Sequence, residues 1–183
     1  MIKKLESQRA KEVYSFMEKD FKEDEIPEEE DFYAYVKDGS LILYAYEEEN
    51  REKAYMVWIQ KNNIVLITHL AVKEEYRSSG IGSKMIKEME ETFPQVKQWI
   101  VEAETEKEAK MEDERKNIQR RFRFYERLGF QKQETIDYVL YGVSYYLFVK
   151  SKEKIEPEEL AKTMRELYGN HISENKMQIK IDK

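Results

Sequence analysis

The amino-acid sequence predicts one mixed α/β or α+β domain. Segments with helical spacing alternate with strand-like runs in the order helix, three strands, helix, strand, helix, two strands, helix, which is typical of a sheet flanked by helices. The 183 residues contain no internal repeat and no linker rich in proline, glycine or serine, and this length fits a single domain. We therefore expect one domain over residues 1–183, with a core at about 5–150 and a helical extension at about 155–183.

The first half of the chain contains a helix and three strands. Apolar residues recur at helical spacing from Ala10 to Phe21 and predict the first helix. Residues 20–31 carry eight acids against one base around Pro27, which indicates a solvated loop or a short acidic helix. Turn residues then separate three strand-like runs. These runs lie at residues 41–46, 54–59 and 64–72.

The chain after residue 72 contains three amphipathic helices and three strand-like runs. The helices are ended by Pro94, Gly129 and Gly169, and the last begins near Pro157. Their apolar faces are formed by Ile81, Met85, Ile86 and Met89, by Ile118, Phe122, Tyr125 and Leu128, and by Leu160, Met164, Leu167 and Tyr168. The strands are predicted at residues 99–101 and, as two runs, within 130–150.

Composition excludes several classes of protein. With no cysteine, the chain has no disulfide, thiolate metal site or cysteine nucleophile, and His69 and His171 are too few for a typical zinc site. A formal net charge of −6 disfavours nucleic-acid binding. The longest apolar-rich run, residues 64–72, is far shorter than the about 20 residues a membrane helix needs, and no signal-peptide core follows Met1. We therefore expect a cytoplasmic protein with no metal, nucleic-acid or membrane partner.

A glycine-containing segment, residues 72–82, joins the third strand to the following helix. Gly80 and Gly82 allow a ligand to approach the backbone closely, and the first N–H groups of a helix favour phosphate. Arg77 and Lys84 can add positive charge.

On local residues alone, this segment has two equal interpretations. It is neither a dinucleotide fingerprint, because Met85 stands where a third glycine is needed, nor an NTPase phosphate loop. A plain turn capped by Ser78 or Ser79 therefore weighs as much as a phosphate site.

Two motifs together resemble the GNAT superfamily of acetyl-CoA-dependent N-acyltransferases. Leu70-Ala71-Val72, followed after four residues by Arg77-Ser78-Ser79-Gly80-Ile81-Gly82, is similar to the family's pyrophosphate-binding motif, Arg/Gln-x-x-Gly-x-Gly/Ala. Phe124-Tyr125-Glu126-Arg127-Leu128-Gly129-Phe130 is similar to its late helix, where a tyrosine precedes Leu-Gly-Phe. The resemblance covers roughly residues 5–150.

The resemblance implies the GNAT fold, a central mixed, mostly antiparallel sheet flanked by helices. In that fold the third strand and residues 99–103 would run parallel and splay apart around the pantetheine arm of acetyl-CoA. The residues implied to hold the co-substrate are Leu70, Ala71 and Val72 for the arm, and Arg77, Ser78, Gly80, Ile81, Gly82 and Ser83 for the pyrophosphate. The chain departs from many relatives at Ile118 and Arg121, where an asparagine and an alanine are common, and Asn117 is displaced by one residue.

The implied reaction is direct transfer of an acetyl group from acetyl-CoA to a primary amine in a ternary complex. The resemblance assigns the proton donor to Tyr125, whose alternative role is a core tyrosine. Glu102 and Glu104 share one face of a strand end and are candidate bases, although a solvated strand end explains them as well. His69 could also titrate near neutral pH, but a lone histidine in an apolar strand is more often a hydrogen-bonded core residue.

Charge runs offer competing clues to the acceptor. Acids at residues 20–31 and 102–114 point to a cationic small-molecule or peptide amine, or simply to a solvated surface. A basic run could bind an anionic group or pair with the acids before it; it comprises Arg120, Arg121, Arg123 and Arg127. The C-terminal extension is expected to cover the acceptor cleft or to form a homodimer contact. A non-catalytic acetyl-CoA-binding or protein-interaction module on the same fold is the alternative function.

Overall fold

The computed structural model describes residues 1–169, 172 and 176–181. The chain divides into two compact units, Met1–Val96 and Lys97–Lys183. His171, together with the other residues of the predicted extension at 170, 173–175, 182 and 183, lies outside the described residues. The expectation of a single domain over 1–183 stays a prediction.

The first unit is an antiparallel sheet with three helices. Its strands are β1 (Ile2–Lys4), β2 (Ile42–Glu48), β3 (Arg51–Lys61) and β4 (Ile64–Val72), and they pair in chain order. Its helices are α1 (Ala10–Asp20), α2 (Glu29–Asp38) and α3 (Ile81–Thr92). The two residues between β2 and β3, Glu49 and Asn50, both have positive φ, as a tight hairpin with the natural strand twist requires.

Large apolar side chains from this sheet and its helices form the core of the first unit. Trp58 on β3 is fully buried, and its ring lies edge-on to Tyr44 at 4.6 Å and to Phe93 at 5.1 Å. Met17 from α1, Phe32 from α2 and other helix residues are also fully buried. Burial of the apolar faces thus stabilises the helices against the sheet.

A β-bulge interrupts β4 just before the segment predicted to bind pantetheine. Val57 pairs with His69, whereas the next residue of β3, Trp58, pairs with Ile67. Thr68 is therefore the extra residue, and its hydroxyl donates a hydrogen bond to the carbonyl oxygen of Val57 at 3.1 Å. Such a bulge bends the strand and disrupts the ladder locally.

The second unit is also an antiparallel sheet with helices. Its strands are β5 (Gln98–Glu104), β6 (Gln131–Lys132), β7 (Ile136–Leu140), β8 (Val143–Ser151) and β9 (Met177–Ile181). β8 pairs with β5, β6 and β7, and β7 also pairs with β9. Its helices are α4 (Glu112–Arg127) and α5 (Pro157–Tyr168).

These elements confirm the predicted mixed class, with mostly antiparallel strands and flanking helices, and correct four details. The two runs predicted within residues 130–150 are three strands, β6, β7 and β8. The acidic run contains a 3-10 turn (Glu23–Glu25) and the start of α2, whose buried residues Phe32 and Val36 lie beyond the run. The short strand β1 was not predicted. Nor was β9, so the described part of the extension is a helix followed by a strand. The splayed parallel strands stay a prediction.

None of the helices within the described ranges has both the length and the apolar character that crossing a membrane requires.

Candidate active site

The turn between β4 and α3 has an unusual backbone. Ser78 has a φ of 63° and Gly80 a φ of +83°, so the chain enters the left-handed region twice within three residues. The N-cap of α3 is Gly80, which has no side chain to cap this end. The Ser79 hydroxyl instead donates back to the carbonyl oxygen of Tyr76 at 2.5 Å. The N-cap position itself is thus held by Gly80, and whether the turn binds phosphate stays a prediction.

The start of α3 presents backbone donors to open space. The first hydrogen bond of the helix runs from the Lys84 N–H to the carbonyl oxygen of Gly80 at 3.0 Å. The preceding N–H groups, those of Ile81, Gly82 and Ser83, consequently have no acceptor inside the helix. A Cβ added to Gly80 would meet no atom within 4 Å. Open space beside unpartnered helix donors fits a pyrophosphate, which the same donors and the helix dipole would stabilise.

Both cations predicted for this turn already contact carboxylates. Arg77 donates from Nη2 to Asp20 Oδ1 at 2.6 Å and from Nε to the Val72 carbonyl oxygen at 3.1 Å, while Lys84 Nζ donates to Glu48 Oε1 at 2.8 Å. Arg77 and Lys84 are 51% and 53% exposed. Ion pairs of this exposure contribute at most about 1 kcal/mol, so a multiply charged phosphate ligand can compete for either cation.

The segment predicted to hold the pantetheine arm lies at the end of β4. Leu70, Ala71 and Val72 pair with residues 56, 55 and 54 of β3, and their side chains are half-buried. Their hydrogen bonds to the arm stay a prediction.

In the second unit, Tyr125 lies on the buried face of α4. Its ring contacts Phe124, Phe130 and Phe148 at centroid distances of 5.1, 5.9 and 5.6 Å. Its hydroxyl makes no hydrogen bond to any residue that the structure describes. Burial raises the pKa of Tyr125, with a smaller opposing effect from Arg121, so the phenol carries its proton at neutral pH.

Glu102 on β5 is a carboxylate that two tyrosines hold. The Tyr138 hydroxyl donates to Oε1 at 2.5 Å, and the Tyr168 hydroxyl donates to Oε2 at 2.7 Å. Burial raises the pKa of Glu102 to about 7, because the loss of water disfavours the charged form more than the two hydrogen bonds favour it. A carboxyl group in this range can gain and lose a proton at neutral pH.

Glu104, two residues further along β5, lies in a different environment. It is 4% exposed, and its Oε2 lies 4.0 Å from Nη1 of Arg121 on α4. Arg121 thus pairs with an acid from the preceding charged stretch, as one interpretation of the basic run expected. Glu102 and Glu104 share a strand; Glu102 is held by two uncharged donors, whereas Glu104 faces a guanidinium.

His69 has a structural environment. Its Nε2 lies 3.0 Å from the carbonyl oxygen of Glu25, and since a carbonyl can only accept, this nitrogen carries the proton. The ring also meets Phe21 edge-on at 4.9 Å. Burial lowers the pKa of His69 to about 4, which the Glu25 hydrogen bond only partly opposes. The surroundings agree with the hydrogen-bonded core interpretation rather than with a base.

Three polar residues that contact Arg77 or Glu102 were not predicted from the sequence. Asp20, at the end of α1, contacts Arg77 and also accepts a hydrogen bond from the Tyr55 hydroxyl at 3.0 Å. Tyr138 and Tyr168 contact Glu102 from positions 36 and 66 residues away. Tyr168 was recognised only as part of an apolar helix face, and no local pattern indicates a partner so distant in sequence. Within the described ranges, no group of three or more His, Asp or Glu side chains could hold a metal ion.

Comparison with known proteins defines the class as an acyltransferase. A family model described as an acetyltransferase (GNAT) domain matches residues 30–132, more than half of the chain. The chain therefore belongs to the GNAT acetyltransferase family, in which acetyl-CoA is the acetyl donor. No curated protein sequence matches it.

Solved structures share the fold at low sequence identity. A GNAT-family protein from Bacteroides thetaiotaomicron is 18% identical, with a TM-score of 0.73 over 92% of this chain and 95% of that one. NAA60 from Arabidopsis thaliana, solved with acetyl-CoA, is 15% identical, with a TM-score of 0.58 over 83% and 98%. The ribosomal-protein-S18-alanine N-acetyltransferase from Escherichia coli is 15% identical, with a TM-score of 0.57 over 85% and 98%.

The predictions of family, fold class and acetyl-CoA as the family's co-substrate are thereby confirmed. The individual site residues stay predictions.

Proposed function

We propose that this protein is an N-acetyltransferase that transfers the acetyl group of acetyl-CoA directly to a primary amine. The observation that carries the proposal is Glu102, whose pKa of about 7 suits a base, in a chain of acetyltransferase family. An alkyl ammonium has a pKa near 10 and must lose a proton before it can attack, and a base is most effective when its own pKa lies near the working pH.

Two side chains divide the proton transfers. Glu102 takes a proton from the ammonium, directly or through one water molecule, and the neutral amine then attacks the acetyl carbon. Tyr125 donates its hydroxyl proton to the departing sulfur as the carbon–sulfur bond breaks, and the second proton that the nitrogen loses as the amide forms replaces it on the phenolate. When bound, acetyl-CoA supplies an activated thioester, so no enzyme nucleophile is needed and the absence of cysteine is no obstacle.

Glu104 is the weaker candidate for the base. The guanidinium of Arg121, which is 38% exposed, lies 4.0 Å from its carboxylate, and a positive charge at this distance favours the ionised form. We therefore assign Glu104 the role of holding Arg121 on α4 and leave proton removal to Glu102.

The turn before α3 is proposed to bind the pyrophosphate of acetyl-CoA. Backbone N–H groups supply most of the contacts, and Arg77 adds a charge-assisted hydrogen bond. The residues assigned to this role are Arg77, Ser78, Gly80, Ile81, Gly82 and Ser83, with Leu70, Ala71 and Val72 assigned to the pantetheine arm.

The acceptor is proposed to be a cationic small-molecule or peptide amine. The run at 20–31 leaves Glu23, Asp24 and Glu28–Asp31 exposed, which gives the first unit a negative surface that attracts cations. Peptide amines are included because the Escherichia coli neighbour is an enzyme that acts on a ribosomal-protein alanine. A homodimer contact through the C-terminal extension stays a prediction.

Release of CoA thiol against a panel of amines, measured beside the thermal shift that CoA produces, tests the proposal. We expect a thermal shift with CoA and turnover with at least one cationic amine, at a rate that salt reduces. A thermal shift without turnover on any amine would instead support a non-catalytic acetyl-CoA-binding module. Glu102→Gln should remove the acid limb of the pH–rate profile, and Glu104→Gln should keep it. An unchanged profile in Glu102→Gln would refute the assignment of the base.

A further inference from the structure

The two tyrosines that hold Glu102 come from different parts of the chain. Tyr138 lies in β7, and Tyr168 is the last residue of α5, in the extension beyond the region that resembles the family. The family model ends at residue 132, so it covers neither tyrosine. A helix of the extension therefore reaches the carboxylate assigned as the base.

Both oxygens of Glu102 are occupied in the same way. Oε1 accepts from Tyr138 and Oε2 from Tyr168, at 2.5 and 2.7 Å. Each carboxylate oxygen has two lone pairs, so each still has one available for a proton. The two hydrogen bonds fix the orientation of the carboxylate and leave it able to act.

The surroundings make this arrangement rigid. Tyr138 is fully buried and Tyr168 is 8% exposed. Leu160 and Met164, which precede Tyr168 on the buried face of α5, are fully buried and anchor the helix. Tyrosine has only two side-chain torsions, so ordering its ring by packing costs little entropy and places the hydroxyl accurately.

We propose that Tyr138 and Tyr168 are positioning residues that hold Glu102 in place to take a proton from the amine, and that the C-terminal helix α5 is thereby part of the active site. This inference rests on the proposed function, in which Glu102 is the base. The donors also decide when the carboxylate is charged, because a hydrogen bond to the ionised form lowers the pKa that burial raises.

Few other titratable groups face Glu102 from the elements around it. Tyr145 on β8 contacts Tyr138 with ring centroids 6.1 Å apart. On its own strand, Glu104 pairs with Arg121 of α4. The proton equilibrium of Glu102 among the described residues is thus set by burial and by the two phenols.

The test compares Tyr168→Phe with a matched control, Tyr44→Phe. Tyr44 is also a buried tyrosine, but its hydroxyl has no hydrogen-bond partner among the described residues. The carboxyl of Glu102 is titrated by carbon-13 NMR in the full-length protein, with its signal assigned by its loss in Glu102→Gln. The pH dependence of kcat/KM is measured on the same variants.

Loss of one hydrogen bond to a carboxylate should move the Glu102 titration in Tyr168→Phe upward by about one pH unit. The acid limb of kcat/KM should move by the same amount, and Tyr44→Phe should change neither. A folded Tyr168→Phe protein with the wild-type Glu102 titration overturns the inference. If this variant does not fold, Tyr138→Phe carries the same test with the same two outcomes.

The NMR titration also separates this inference from the proposed function. A shifted titration with an unchanged pH–rate profile overturns the positioning role in catalysis together with Glu102 as the base. An unchanged titration, in an enzyme that loses its acid limb in Glu102→Gln, overturns only the role of the tyrosines.

Discussion

The backbone conformation at Gly80 provides the sharpest test of the proposed pyrophosphate site. Gly80→Ala places a side chain at a φ of +83°, in the left-handed region that costs a residue with a Cβ about 1–2 kcal/mol. The new methyl group meets no atom within 4 Å, so no steric clash within the protein adds to this cost. The methyl group does occupy the open space where a ligand would approach the N–H groups of Ile81, Gly82 and Ser83.

Gly39 offers a control with nearly the same backbone. It follows α2 with a φ of +85°, and a Cβ there also meets no atom within 4 Å. Gly39→Ala should therefore lose the same stability as Gly80→Ala, about 1–2 kcal/mol. For a chain of this length, that corresponds to roughly 2–8 °C in Tm. Gly39 has no proposed role in ligand binding, so only Gly80→Ala should also weaken CoA.

Isothermal titration with CoA separates the two effects. Loss of one hydrogen bond to a charged phosphate costs about 1.5–3 kcal/mol, which is roughly a 10- to 150-fold higher Kd in Gly80→Ala. Gly39→Ala should retain the wild-type Kd at a temperature where both variants are folded. Wild-type affinity in Gly80→Ala, or an equal loss in both variants, would show that the turn before α3 does not hold the pyrophosphate.

Three further predictions concern the titratable residues. Tyr125→Phe should lower kcat by about 10²- to 10⁴-fold while Tm and the Kd for CoA stay unchanged, because its hydroxyl has no hydrogen bond to lose among the described residues; undiminished turnover would exclude Tyr125 as the proton donor. Since the pKa of Glu102 is raised from 4.5 to about 7, the folded protein binds a proton that the unfolded chain releases. Urea denaturation should accordingly show wild-type stability falling relative to Glu102→Gln as the pH rises from about 4.5 to about 7, and a constant difference would contradict the raised pKa. His69, with a pKa lowered from 6.5 to about 4, acts in the opposite direction: it contributes stability above pH 6.5 that is lost as the pH falls towards 4. His69→Gln should remove this acid-dependent loss and keep the pH–rate profile, and a shifted profile would restore His69 as a candidate base.

Regular periodicity is the part of the fold that the sequence predicts well. The apolar face predicted from Ile81 to the residue before Pro94 corresponds to α3, Ile81–Thr92, and the run at residues 64–72 is β4. The helix buries one apolar face, and β4 is a continuous apolar run whose consecutive residues 65–67 are buried, so local spacing contains the information. The elements that were missed are different. β1 has only three residues, and β9 alternates half-buried and exposed side chains, so their pairing partners rather than their own patterns define them.

The residues of the candidate site show the same difference between local patterns and distant contacts. Gly80 was named because it belongs to a motif of adjacent residues, and its φ of +83° is one that glycine adopts without strain; its role in binding stays a prediction. Glu102 was one of two candidates that sequence could not separate. Its environment depends on Tyr168, which is 66 positions away, and that of Glu104 depends on Arg121. Contacts made by folding distant segments together set the pKa of a side chain, and no local pattern contains them.

The single extra residue in β4, Thr68, changes which backbone groups of the following residues face β3. In an antiparallel ladder, alternate residues turn their N–H and C=O groups towards the neighbouring strand, and the residues between them turn these groups away. Because Thr68 is skipped in the pairing with β3, the alternation between backbone groups that face β3 and groups that face away is shifted by one residue. Leu70, Ala71 and Val72 therefore follow the opposite alternation from residues 64–67. If Thr68 instead took a regular place in the ladder, Leu70 would face Tyr55 rather than Met56, and the inward and outward backbone groups of these three residues would be exchanged. One inserted threonine thus decides which amides at the end of β4 remain unpaired by β3, before any ligand-binding side chain is considered.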